Sequence, residues 1–180
     1  MSRVTSGNNG ITQKYNKLTH KGVDIGWHSK EADNKVIAHS DGIVEKLVKT
    51  YNKTDKTGSS YGNYVLIKHN EKYKTRYAHL KYGSVCVSKG EKVKKGQVIG
   101  IIGATGHCIG RHLHFEVHKN GTRIDPTPYI KTDLPLWEIG KTYTSLKGKY
   151  VRKSPQVATN KVKYKNVTIN KDEYCSDKSG

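Results

Sequence analysis

The sequence predicts an all-β protein with a compact antiparallel sheet, and three observations carry that prediction. Residues 110–118, GRHLHFEVH, alternate Leu113, Phe115 and Val117 with His112, His114, Glu116 and His118. Successive side chains of a strand point to opposite faces, so this is a strand with an apolar back and a front carrying three imidazoles and a carboxylate. Short runs of strand character recur along the chain, separated by Gly-, Asn-, Lys- and Ser-rich clusters such as NKTDKTGSS and KKGQ, which are turn chemistry. No segment sustains a helical period for long.

The runs follow in order. GVDIGW, GIVEKLVKTY, GNYVLIKH, KYKTRYAHL, QVIGIIG and HLHFEVH are rich in Val, Ile and Tyr and short enough for strands. The pattern continues to about residue 130, where IDPTPYI interrupts it with prolines that cannot donate to a sheet ladder. KTDLPLWEIGK then reads as a linker, and a second Tyr-, Val- and Lys-rich segment follows it. The expected organisation is a folded domain over residues 1–131, a linker over 132–141 and a β-rich extension over 142–180.

The 33 basic residues, 28 of them lysine, outnumber the 15 acidic ones, for a formal net charge of +18. Such a surface is drawn to polyanions, and DNA, RNA and an anionic cell wall all qualify. No zinc finger, helix-turn-helix or RNA-recognition signature accompanies the charge, and the basic residues are spread along the chain. A nucleic-acid partner is therefore not expected. No apolar run of membrane-spanning length occurs and the first ten residues lack a secretory pattern, so neither stable membrane insertion nor export by a signal of this chain is expected. Cys86, Cys108 and Cys175 have no CxxC spacing, which reads as reduced structural thiols and not as a cysteine zinc site.

A second chemical cluster lies upstream in THKGVDIGWH. If it runs extended, His20 and Asp24 share one face, with Gly22 between them. A catalytic zinc takes three protein N or O ligands and leaves a fourth position for water, so His20, Asp24 and one histidine of the downstream strand would complete a set. His79, in TRYAHLK, ends an alternating strand on the face of Tyr73, Thr75 and Tyr77. Taken alone it reads as a packed or surface histidine.

Together these residues reach a known family. Residues 18–130 resemble the LytM or lysostaphin-type zinc endopeptidases of peptidoglycan, through HKGVD, YGNYVLIKH, YAHL, VSKGEKVKKGQVIGIIGATG, GRHLHFEV and DPTPYI in the same order. The resemblance implies a zinc metallopeptidase fold of the duplicated hybrid motif type, with one Zn2+ at the floor of a groove. It implies His20, Asp24 and His114 as metal ligands. His112 and His79 would stand beside the metal, orient or deprotonate the water and stabilise the tetrahedral intermediate. The reaction implied is hydrolysis of an amide in the stem or cross-bridge peptides of peptidoglycan, with anionic wall polymers as further partners of a +18 surface. The zinc would polarise the scissile carbonyl and lower the pKa of its water towards ~7.

Along a strand His118 lies about 13 Å beyond His114, out of reach of the same metal, and Glu116 suits an ion pair or a role behind a ligand. His28, His39, His69 and His107 belong to no motif and read as surface or packed residues, with His107 nearest the rim. Tyr61 and Tyr77 read equally as groove or as ordinary packing. Loops near residues 27–35, 52–61 and 104–110 are the expected walls.

TYTSLKGKYVRKSP resembles the first strands of a bacterial SH3-like wall-binding domain. A peptidase joined to such a module, without a signal peptide, looks like a phage endolysin made in the host cytoplasm and released at lysis. A tail lysin or an autolysin is the neighbouring reading. A non-catalytic wall-binding or activator module with a degenerate peptidase fold is the alternative from another class.

Overall fold

The computed structural model describes residues 4–52 and 60–130, and beyond them the backbone of four short strands. Ten strands lie in the first part: β1 (Ile11–Gln13), β2 (Val23–Gly26), β3 (Lys35–Ile37), β4 (Gly42–Val48), β5 (Asn63–Lys68), β6 (Tyr73–Leu80), β7 (Lys92–Val93), β8 (Val98–Ile101), β9 (His112–Lys119) and β10 (Thr122–Ile124). Eight of them form one sheet, in the order β1-β2-β9-β6-β5-β4-β7 with β10 paired to β9, and β3 pairs with β8. Every pairing is antiparallel. Among the described residues, regular helix is confined to a 3-10 turn at Glu31–Asn34 and the single turn α1 (Thr127–Ile130). The all-β expectation holds, and no described helix is long and apolar enough to cross a membrane.

The six expected strands are all present. The four that sequence reasoning passes over, β1, β3, β7 and β10, are two or three residues long, too short for any period to register. Beyond residue 130 the strands β11 (Tyr143–Thr144) and β12 (Val151–Arg152) pair, as do β13 (Lys161–Tyr164) and β14 (Val167–Asn170). The expected linker at 132–141, most of the SH3-like extension, and Cys175 lie outside the described residues.

The apolar back of β9 does what alternation requires. Leu113, Phe115 and Val117 are fully buried and share a core with Val23 and Ile25 of β2, Val65 and Ile67 of β5, and Tyr77 of β6. Tyr77 belongs to this core and not to a groove: its hydroxyl accepts from the backbone N–H of His39 at 2.8 Å and from Thr75 Oγ1 at 3.0 Å. Burial pushes its pKa up to about 12. His39 is packed, with Nε2 against the Tyr129 carbonyl at 2.8 Å. His69 is tied to the Asp41 carbonyl and to Thr75 Oγ1, at 2.7 and 2.8 Å.

The register brings the chemistry to one place. β9 lies between β2 and β6, so that Asp24 stands opposite His114 on one side and Ala78 opposite it on the other. Directly opposed residues of an antiparallel pair point to the same face. Asp24 and His114 therefore face each other across the ladder on the side away from the core.

Candidate metal centre and groove

His20, Asp24 and His114 converge. His20 Nε2 lies 3.0 Å from Asp24 Oδ1 and 3.2 Å from His114 Nδ1, and His114 Nδ1 lies 2.9 Å from Asp24 Oδ1. Ligands of a tetrahedral zinc at about 2.0–2.1 Å stand about 3.3 Å apart, so this triangle is close to one face of such a tetrahedron. Among the described residues these three side chains form the one His/Cys/Asp/Glu group able to hold a metal ion. Cys108 is a buried free thiol outside that group.

Hydrogen bonds fix the ring orientations. A carbonyl only accepts, so the 3.0 Å contact of His20 Nδ1 with the Lys14 carbonyl places a proton on Nδ1 and leaves Nε2 free to coordinate. His114 Nε2 lies 3.4 Å from Glu116 Oε1 and donates to it, which leaves Nδ1 for the centre. Gly22 is required sterically: a Cβ there would stand 2.6 Å from His114 Cε1 and 2.7 Å from its Nε2. His20 does not reach the triangle along an extended strand. It pairs with Asn16 across a tight turn, Asn16 N–H to the His20 carbonyl at 2.7 Å and the reverse at 3.0 Å. Asn16 Oδ1 accepts from the N–H groups of Leu18 and Thr19, an Asx turn that competes with strand geometry. The residues meet as the motif suggests, by a different backbone path.

His79 departs further from a regular strand. Tyr73, Thr75 and Tyr77, whose face it shares in a regular strand, are buried core residues, so continuation of β6 would aim it into the interior. Instead β6 bulges, two residues opposing one between the Asn63–Leu80 and Val65–Tyr77 pairs, and His79 takes φ +61°. That left-handed conformation is costly for a residue with a Cβ, and such strain concentrates at working sites. It carries the ring out of the core, 4.8 Å from the His112 ring centre and 5.9 Å from that of His114. Two loops hold it there. The Tyr61 carbonyl accepts the His79 backbone N–H at 2.9 Å, and the Thr105 carbonyl accepts Nδ1–H at 2.8 Å. These loops touch at Gly62 and Gly106, both of positive φ, where an added Cβ would come within 2.3 Å of the opposite backbone. His112 Nδ1 likewise donates to the Gly110 carbonyl at 2.8 Å, leaving its Nε2 3.8 Å from Asp24 Oδ2.

Electrostatics divides the two groups. Burial drives the His79 pKa down to about 4 against the opposing Thr105 hydrogen bond, so at neutral pH the ring is uncharged, with a lone pair on Nε2. Burial also disfavours charge on Asp24 and His114. For Asp24 the His114 hydrogen bond and the charges of His112, His114 and His20 outweigh it and hold the carboxyl below its ordinary value. For His114 the hydrogen bonds to Asp24 and Glu116 outweigh it and raise the pKa. A carboxylate kept ionised beside imidazoles is a strong attractor of a divalent cation.

The centre lies in a groove of about 790 Å³ lined, among others, by Leu18, Lys21, Tyr61, Ile109, Arg111 and Arg123. His107 is on its wall, as its place near the rim suggested. The 104–110 loop contributes as expected, Ser60 and Tyr61 represent the 52–61 loop, whose residues 53–59 lie outside the described ones, and residues 27–35 are not on the wall. The stretch around residues 12–21 takes their place. Sequence reasoning missed Arg76 and Arg123. Arg76 alternates with Lys74 and Ala78 on the polar face of β6, directly opposite Glu116, so a signal for it was present. Arg123 comes from β10, which is too short to be seen.

Residues 18–126 match the model of Peptidase family M23. Over 75 residues, 42% of this chain, the protein is 51% identical to peptidoglycan DD-endopeptidase ShyB of Vibrio cholerae, covering 16% of that protein. It is 39% identical to ShyC of the same organism, named likewise, over 107 residues, 59% of this chain and 22% of that one. The chain thus spans less than a quarter of either relative. Its fold matches the catalytic domain of EnpA, a prophage-encoded M23 protein of Enterococcus faecalis, at a TM-score of 0.51 and 25% identity, over 67% of this chain and 90% of that one. The triangle of His20, Asp24 and His114 lies inside a family match that takes in more than half of the chain, and the protein belongs to peptidase family M23.

Proposed function

We propose that the protein is a zinc-dependent endopeptidase that hydrolyses peptide bonds in the stem or cross-bridge peptides of bacterial peptidoglycan. The observation that carries this reading is the pairing of a three-ligand triangle with two further imidazoles, His79 and His112, whose Nδ1 atoms donate to carbonyls. His20, Asp24 and His114 would hold the zinc, which would supply Lewis-acid polarisation of the scissile carbonyl and lower the pKa of a water. His79, uncharged and aimed into the groove, accepts a proton at Nε2 and returns it to the leaving amine. His112 Nε2, next to it, accepts a hydrogen bond from the attacking water and orients it. The exposed Leu18 and the basic Lys21, Arg111 and Arg123 suit a peptide that carries both small apolar side chains and carboxylates.

The peptidoglycan substrate is supported by the names of ShyB and ShyC, and the phage setting by the prophage-encoded EnpA. A +18 charge suits long-range attraction to anionic wall polymers. The finer reading is an endolysin made in the host cytoplasm, acting on the wall at lysis, with residues 142–180 as a wall-binding segment. Purified peptidoglycans of defined cross-bridge chemistry, incubated with the zinc-loaded protein and analysed by mass spectrometry, test it. The expected result is release of peptide fragments with one new amine terminus per cut, abolished by chelation and restored by zinc. Intact walls in the presence of stoichiometric zinc would instead favour a non-catalytic wall-binding or activator module.

A further inference from the structure

Five donors converge on one carboxylate that this chemistry does not use. Glu116 is 0% exposed. Its Oε1 accepts from the Tyr61 hydroxyl at 2.9 Å, from Arg123 Nη1 at 3.4 Å and from His114 Nε2 at 3.4 Å. Its Oε2 accepts from His118 Nε2 at 2.7 Å and from Arg76 Nη1 at 3.1 Å. An ionised carboxylate is retained in an interior only when it is paired and hydrogen-bonded on both oxygens, and this one is. The donors are themselves braced. Arg76 stands opposite Glu116 in the β6–β9 ladder, its guanidinium carbon 4.1 Å from the Tyr61 ring centre, and Arg123 Nη1 also reaches the Tyr61 hydroxyl at 2.9 Å.

The placement separates this cluster from an ordinary buried ion pair. Nδ1 of His114 belongs to the ligand triangle, and Nε2 is the opposite donor of the same ring. Among the described residues Glu116 supplies its hydrogen-bond acceptor. We propose that Glu116 is a positioning residue of the metal centre: a clamped, buried anion that accepts Nε2–H of His114, fixes Nδ1 as the coordinating atom and increases the ring's electron donation to the metal. The proposal rests on reading His20, Asp24 and His114 as a zinc site. An anion behind a ligand histidine sets its orientation and basicity, and loss of such a partner weakens metal binding by about 10–100-fold.

The test is the Zn2+ dissociation constant of the full chain, from competition with a chromophoric chelator, for wild type and Glu116→Gln. Far-UV circular dichroism of the metal-free proteins establishes that both are folded at the pH used. Gln keeps the shape and one acceptor oxygen and removes the charge, so the expected result is affinity about 10–100-fold weaker in a folded variant. A folded Glu116→Gln with wild-type zinc affinity and only a lowered urea midpoint assigns Glu116 to the scaffold and overturns the proposal. If Glu116→Gln does not fold, Tyr61→Phe decides: it removes the shortest hydrogen bond to Oε1, and zinc binding weaker by up to about tenfold is expected, whereas unchanged binding overturns the proposal. Wild-type protein that binds no zinc overturns the zinc reading itself, and this inference with it.

Discussion

Asp24 and His114 of the candidate metal triangle and His79 beside them occupy the same groove but are positioned by opposite means. Asp24 and His114 are held by regular ladder register, each directly opposite the other in β2 and β9. His79 is held by exceptions: a bulge in β6, a left-handed residue with a Cβ, and carbonyls of two loops that touch at glycines. The third member of the triangle, His20, is brought in by the Asn16 turn, and a site that needs precise geometry is best served by regular elements such as the β2–β9 ladder. His79, the group proposed to exchange a proton, stands on left-handed backbone held by the Tyr61 and Thr105 carbonyls.

The largest effect that separates the two regions is expected from Gly22→Ala. Its Cβ would overlap the His114 ring and stand 2.8 Å from the Phe115 carbonyl oxygen, so zinc content and turnover should both be lost. Retention of stoichiometric zinc in a folded Gly22→Ala protein would show that the triangle is not confined as described. A smaller but still severe effect is expected from His79→Ala, which removes a proton acceptor and leaves the triangle intact: zinc retained, turnover reduced about 10²–10⁴-fold. Loss of zinc in that variant would merge the two regions into one.

The smallest effect lies outside both. Burial holds the His69 pKa down to about 4, against an ordinary 6.5. Its folded form is therefore neutral, and the unfolded chain takes up a proton first as the pH falls. The stabilisation is complete above pH 6.5 and is lost as the pH drops from 6.5 through 4, an effect on the order of 1–3 kcal/mol. Urea midpoints of the metal-free protein between these pH values should fall less in His69→Gln than in wild type. An equal fall would place the acid sensitivity elsewhere.

The same contrast explains how much could be read in advance. The front and back of β9 follow from strict alternation, and its two-residue spacing separates His114 from His118, which bonds to Glu116 and stays outside the triangle. His20 and Asp24 come from a motif five residues long. His79 could be placed near the metal only through the family resemblance, because nothing in YAHL announces a left-handed residue, and plain alternation sends the ring into the core. The surroundings of Glu116 join Tyr61, Arg76 and Arg123 from three other chain segments, and a pairing of that range is set by register and not by local sequence. Burial of His39 is equally non-local, since its partner is a carbonyl at residue 129.

The division of labour within one strand is the central claim, and the most direct measurement is zinc stoichiometry alongside peptidoglycan turnover for His112→Ala and His114→Ala. His114→Ala should lose both. His112→Ala should hold one zinc per chain and lose most of its turnover. A His112→Ala protein without metal, beside a His114→Ala protein that retains it, would reverse the assignment and contradict the account.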